Sequence, residues 1–235
     1  MIKNKKTKGK LIVIDGTDGS GKATQVNFLI NRLMNDGYNV RMVDFPEYYK
    51  NFFGAFIGHC LAEQYYNFLH VHPKIASVLY AADRFESKDK IEGWIKKGYL
   101  VVANRYASAN QIHQGGKISS LKKRQDFLRW LDDMEFRVFG IPRPNITFYL
   151  NVPLTFGNKL LKERYQSTNR VYLRRKEDVH ERDADFMKNS YKSAMWLADN
   201  QPNWCKINCV EKNKLRTRED IHEEVYKNVL SILKK

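Results

Sequence analysis

The sequence predicts an α/β protein: a five-stranded parallel sheet flanked by helices in three layers, with a mobile lid. Three observations carry this. Short runs rich in β-branched residues alternate with longer segments of helical period, the pattern of βαβ units. A glycine-rich turn joins the first run to the first helix, and a charge-dense segment interrupts the pattern late in the chain. The strands are expected at Leu11–Asp15, Val40–Phe45, Tyr99–Ala103, Asn145–Val152 and Cys205–Cys209.

The helices follow from periodicity and stop signals. After the first strand, Val26, Leu29, Ile30, Leu33 and Met34 share one helical face until Asn35-Asp36-Gly37 ends it. A second helical stretch runs from Pro73 to Lys97, and a third precedes the Pro142-Arg143-Pro144 turn. The last helix is expected to start at Thr217, capped through Asp220, with Ile221, Val225, Val229 and Leu233 on one face. With 235 residues, 43% hydrophobic content and no internal repeat, the chain suits one domain over 1–235 with a basic tail over about 1–9.

Composition narrows the partners. A formal charge of +15 favours an anionic ligand, nucleotide or nucleic acid, without choosing between them. Cys60, Cys205 and Cys209 are sparse, odd in number and without metal-ligand spacing, which reads as reduced thiols in a cytoplasmic protein. The apolar run after the basic opening, Leu11–Ile14, is too short for a signal-peptide core or a membrane span, so no membrane partner is expected.

Gly16-Thr17-Asp18-Gly19-Ser20-Gly21-Lys22 follows a strand and opens a helix, the context in which a Walker A pattern holds phosphates. Backbone N–H groups and the helix N-terminus face the phosphate oxygens, and Lys22 reaches the β- and γ-phosphates. The loop therefore implies a P-loop fold and an ATP site over Gly16–Thr24. Ala23 stands where a Ser or Thr hydroxyl normally ligates Mg²⁺, with Thr24 one residue late.

From these residues the chain resembles the thymidylate kinase family over roughly Lys10–Lys235. The loop from Asp15 to Gln25 is similar to the family's, with Asp15 for Glu. Phe45-Pro46-Glu47 resembles its Phe-Pro-Glu, although Tyr48 replaces the following Arg. Leu79–Arg84 resembles a helix that supplies an aromatic to the base and an arginine to the acceptor phosphate. Asn104-Arg105-Tyr106 with Gln114-Gly115 resembles Asp-Arg-Tyr...Tyr-Gln-Gly, with His113 for Tyr. Arg174–Phe186 resembles the lid and the acidic segment after it.

The resemblance implies a kinase moving the γ-phosphoryl group of ATP to dTMP with Mg²⁺, and a homodimer. Arg84 and Arg105 would hold the acceptor phosphate, which bidentate guanidinium contacts suit; surface ion pairing, for example of Arg84 with Asp83 or Glu86, is the bland alternative. Tyr80 would stack on a pyrimidine or serve as a core aromatic. Asp18 would receive the sugar 3′-hydroxyl, Phe45 and Pro46 would wall the acceptor site, and Gln114 would read a base edge. His113 is read as a wall residue. Because Gly19 stands where some members carry an arginine, the transition-state arginine would come from a lid over about 162–182, from Arg174 or else Arg170 or Arg175. Asp15 and Asn104 would hold the metal through water. Two rivals stay open: a kinase for another nucleotide or a deoxynucleoside, and a catalytically weakened homologue acting as a nucleotide- or nucleic-acid-binding module. Against nucleic acid, the chain has no aromatic-studded basic platform.

Overall fold

The computed structural model describes residues 7–62, 68–167 and 183–234, with the backbone alone over 162–167. Most of the expected lid, including Arg170, Arg174 and Arg175, lies outside these residues. Five parallel strands form the sheet: β1 Lys10–Asp15, β2 Val40–Asp44, β3 Leu100–Asn104, β4 Ile146–Asn151 and β5 Trp204–Asn208, in the order β2-β3-β1-β4-β5. Each expected strand is present within one residue or so of its bounds. β1 is central, and its hydrophobic run is continuous because helices cover both its faces.

Alternation along β1 divides the core between those two faces. Ile12 and Ile14 pack with Val26, Leu29 and Leu33 of α1 (Lys22–Asn35) and with Ile221, Val225 and Val229 of the C-terminal helix Arg218–Leu233. Leu11 and Val13 point the other way, into a cluster with Val101, Ile91 and Tyr106. That opposite layer is built from α2 (Phe52–Leu61), α3 (Pro73–Glu86), α4 (Lys88–Lys96), α5 (Ala107–Ala109) and α6 (Leu121–Asp132). Helices α7 (Leu154–Ser167) and α8 (Ala184–Asn200) precede β5, and the C-terminal helix is α9. Thr217 caps α9 as expected: its Oγ1 accepts from the Asp220 N–H at 3.1 Å.

Two features differ from the sequence reading. The single helix expected over Pro73–Lys97 is two, α3 and α4, broken at Ser87. The Ser87 hydroxyl donates to Glu47 Oε1 at 3.0 Å, a tertiary contact forty positions away that periodicity cannot report. A small antiparallel hairpin, β6 (Val210–Glu211) with β7 (Lys214–Leu215), follows β5; Lys212 and Asn213 at its tip both have positive φ, as a type I′ turn requires. Two π-helical turns, Asn110–Gln114 and Asp133–Val138, extend α5 and α6. No helix among the described residues is long and apolar enough to cross a membrane.

Candidate active site

The site lies at the carboxyl ends of the strands, where open α/β sheets bind ligands. Gly21 caps α1 in the left-handed conformation, with φ 82°, and no side chain bonds to the first turn. The N–H groups at that end are thus left to an anion. Lys22 is buried over the loop, its Nζ donating to the carbonyls of Gly16 and Thr17 at 2.8 and 3.0 Å. Asp18 lies 3.7 Å from the same Nζ.

Gly19 explains why the loop carries no arginine. Its φ is +81°, and a Cβ there would stand 2.5 Å from the Gly157 carbonyl oxygen on α7. Both backbone strain and the clash exclude a side chain.

A cleft of about 1390 Å³, open to solvent, is lined by Asp18 to Gln25, Asn104, Arg105, Arg216 and Arg218. All the phosphate-loop residues from Asp18 to Thr24 line it; Gly16 and Thr17 do not, and meet Lys22 through their carbonyls. A second cleft of about 590 Å³ is lined by Asp18, Phe45, Pro46, Tyr80, Arg84, Arg105, His113 and Gln114. Every residue singled out in the sequence as an acceptor contact therefore shares one cavity, together with Tyr48, Asn110 and others. Asp18 and Arg105 line both clefts, and their side chains form an ion pair.

Arg105 is held in an uncommon backbone state, φ 63°, with its N–H donating to the Ile14 carbonyl at 3.0 Å. Such strain concentrates at functional sites and costs about 1–3 kcal/mol. Burial is the largest influence and works against its charge, but Asp18, with Tyr48, Asp15 and Asp44 behind it, together offset this and the net shift is upward.

Arg84 is 2% exposed and bound by neither Asp83 nor Glu86. Its partner is Glu135, 0% exposed, which takes Nε at 2.9 Å and also Nη2. Asn110 Nδ2 donates to the same carboxylate at 2.8 Å and to the Ser77 carbonyl at 3.1 Å. Gln114 is buried, and its Oε1 has no hydrogen-bond partner among the described residues. His113 stacks on Phe186 of α8 with ring centroids 5.8 Å apart, and its Nδ1 lies 3.2 Å from the Ser190 hydroxyl. Tyr80 packs against Phe68 at 5.9 Å.

The oxygen donors near the loop suit a hard cation such as Mg²⁺. Among the described residues no three His, Cys, Asp or Glu side chains converge to hold a bare ion. Asp15 lines neither cleft. It is fully buried, Oδ1 accepting from Gly16 N at 2.8 Å and Oδ2 from the Ser108 hydroxyl at 2.5 Å. Burial raises its pKa, opposed chiefly by Lys22 and Ser108. Asn104 lines the nucleotide-side cleft, its buried Oδ1 is unpartnered among the described residues, and its Nδ2 donates to Asp44 Oδ1 at 2.8 Å. Asp44 stands opposite Asn104 in the β2–β3 register, exposed, and within electrostatic reach of Arg105 and Lys22. The sequence reading missed Asp44, Asn110 and Glu135. An acid ending a strand beside Phe45-Pro46 was a usable signal for Asp44; nothing local marks Glu135.

Comparison with known proteins agrees with this geometry. A family model described as thymidylate kinase matches residues 14–221. A thymidylate kinase of Plasmodium falciparum is 27% identical over 233 residues, covering 97% of this chain and 92% of its own length. One from Nitrosomonas europaea is 30% identical over 163 residues, 68% of each chain. The solved structure of thymidylate kinase from Candida albicans superposes with a TM-score of 0.71 at 18% identity, covering 97% of this chain and 93% of that one, a likeness of fold.

Gly19→Ala should destabilise the protein by about 1–3 kcal/mol, since an L side chain meets both the left-handed backbone and the Gly157 carbonyl. Urea unfolding measures this, and an unchanged midpoint would contradict the close approach.

Proposed function

The chain belongs to the thymidylate kinase family, and from that premise we propose that it transfers the γ-phosphoryl group of ATP to dTMP, giving ADP and dTDP. The observation that carries the reading is that a phosphate-loop cleft and an acceptor cleft share Asp18 and Arg105 as a common wall. Donor and acceptor phosphates are thereby brought end to end. An oxygen of the acceptor phosphate attacks the γ-phosphorus, the bond from that phosphorus to the β,γ-bridging oxygen breaks, and ADP leaves. The attacking oxygen is already anionic, so no general base is required. What the residues contribute is position and charge.

Lys22 turns from its loop carbonyls to the β- and γ-phosphates, and Arg105 meets the acceptor phosphate. Asp18 holds Arg105 and accepts from the sugar 3′-hydroxyl. Arg84 is better suited to the base than to the phosphate expected from sequence. It lines only the acceptor cleft, and Glu135 already neutralises it. Glu135 takes Nε and Nη2, so Nη1 is the donor nitrogen left over, while both hydrogens of Asn110 Nδ2 are spent and its Oδ1 remains. One donor beside one acceptor complements the O4 and N3–H edge of thymine. Tyr80, Phe45 and Pro46 wall the ring, and Gln114 and His113 complete the pocket.

When bound with ATP, Mg²⁺ supplies neutralisation of the β- and γ-phosphate charge. Asp44, oriented by Asn104, is the carboxylate available to its water shell, one strand over from the family's position. Arg174, with Arg170 or Arg175, remains the proposed source of transition-state charge. Ile75, Val78 and Phe85 form an exposed apolar face on α3 that supports a homodimer. Free cysteines fit a cytoplasmic location, and one catalytic domain is proposed for the chain.

A deoxynucleoside kinase is disfavoured. The acid it would need after β2 is Glu47, and this carboxylate is buried away from the cleft on Ser87 and Lys90, both at 3.0 Å.

ADP release with MgATP, measured across dTMP, dUMP, UMP, CMP, AMP and GMP, should be fastest with a thymine or uracil monophosphate. Arg105→Ala should cost about 2–4 kcal/mol in kcat/KM for dTMP while leaving ATP-analogue affinity much less affected. Turnover with none of these acceptors would refute the reading. Asp44→Asn should raise the Mg²⁺ concentration for half-maximal rate about tenfold, and should weaken Mn²⁺ binding to the enzyme–ATP-analogue complex. Unchanged Mn²⁺ affinity would remove Asp44 from the metal's surroundings.

A further inference from the structure

Resting on that reading of the acceptor cleft, we propose that Glu135 is a positioning residue that sets the hydrogen-bonding polarity of the base-reading floor, and so discriminates thymine from cytosine without touching either. Glu135 is not among the residues lining the cleft. It sits in the π-helical turn Asp133–Val138 and binds Asn110 in the other π-helical turn, Asn110–Gln114. Such turns are rare and gather at functional sites. The bond between them fixes where one amide points.

Donors and acceptors fix which way the Asn110 amide points. A carboxylate paired with a guanidinium is ionised and can only accept; a backbone carbonyl can only accept. Both partners of Asn110 Nδ2, Glu135 Oε1 at 2.8 Å and Ser77 O at 3.1 Å, are therefore acceptors. Turning the amide around would set its oxygen against two others in a buried site, leaving lone pairs facing lone pairs. Asn110 consequently keeps Oδ1 as its remaining hydrogen-bonding atom. By the same bonds Glu135 holds the Arg84 fork through Nε and Nη2.

Stability alone gives little reason for this arrangement. A buried ion pair contributes little net stability compared with an apolar pair of equal volume, while losing one partner is costly. Orientation is what the pair supplies. Cytosine offers an N4 amino donor and an unprotonated N3, the reverse of thymine. It meets donor against donor at Arg84 and acceptor against acceptor at Asn110.

Glutamine at position 135 changes this logic: its NH₂, set where Glu135 Oε1 takes both Asn110 and Arg84 Nη2, gives up the Nη2 bond but can donate to Asn110 Oδ1 and let the Asn110 amide turn. The clash at Arg84 stays, so discrimination shrinks rather than inverts. The test is equilibrium binding of dTMP and dCMP to the wild type, Glu135→Gln and Glu135→Asp, with a non-hydrolysable ATP analogue as control. In Glu135→Gln the preference for dTMP over dCMP should fall by about 10–100-fold, with ATP-analogue affinity within about twofold of the wild type. In Glu135→Asp, which still only accepts, affinity for both monophosphates should fall while the preference survives. A folded Glu135→Gln with the wild-type preference, or equal loss of preference in both variants, would overturn the proposal.

Should Glu135→Gln fail to fold, the wild-type amide carries the same test. The Asn110 NH₂ protons should be protected from solvent exchange before and after dTMP binds. Protection appearing only on binding would mean that the NH₂ faces the base, and would overturn it. A wild type that binds neither monophosphate fails at the acceptor reading itself, which separates that failure from one at Glu135.

Discussion

Everything in the site is arranged around the ion pair of Asp18 and Arg105. Asp18 belongs to the loop after β1 and Arg105 follows β3, and these strands are neighbours in the sheet. The pair closes the gap between their carboxyl ends and forms the wall common to both clefts. Arg105 reaches this position only by taking a left-handed backbone, which the Ile14 carbonyl holds through a 3.0 Å bond. The fold accepts local strain at this one residue and obtains a guanidinium at the junction where phosphate charge accumulates.

Charge is then graded along the acceptor cleft. At the junction Lys22 and Arg105 together outweigh Asp18, so phosphate is favoured there. At the far end Arg84 is matched by Glu135, and what remains is hydrogen-bonding direction rather than net charge. Under the proposed assignment a monophosphate has one orientation that satisfies both ends. The neutral floor also keeps a second phosphate from competing for the base position, because a buried anion is poorly stabilised where the charge is already compensated.

Much of the fold was legible because strands and helices write their period locally. The five β-branched runs stand where expected, and the Thr217 cap was readable from its spacing to Asp220. The break at Ser87 was not, since its cause is a hydroxyl bonded to Glu47 across the fold. The site divides in the same way. The glycine loop, Arg105 and the acceptor residues were legible through their motifs, and the structure gathers them. The buried partner of Arg84, Glu135, was not legible, because it lies fifty-one positions away and announces itself by no local pattern. For Asp15, only tertiary packing reveals that its oxygens take Gly16 N and the Ser108 hydroxyl, while strand register sets Asp44 beside Asn104, whose amide it accepts.

One wall joins the cleft proposed for the donor to the cleft proposed for the acceptor. That junction is tested most directly with a single molecule spanning both, adenosine and thymidine joined through their 5′ positions by five phosphates. Linking the two halves makes the second binding event intramolecular, so the compound should bind at least about 100-fold more tightly than ATP or dTMP alone. It should also compete with each of them. Affinity no greater than that of ATP, with dTMP still free to bind beside it, would show that the two clefts do not meet and would contradict the account.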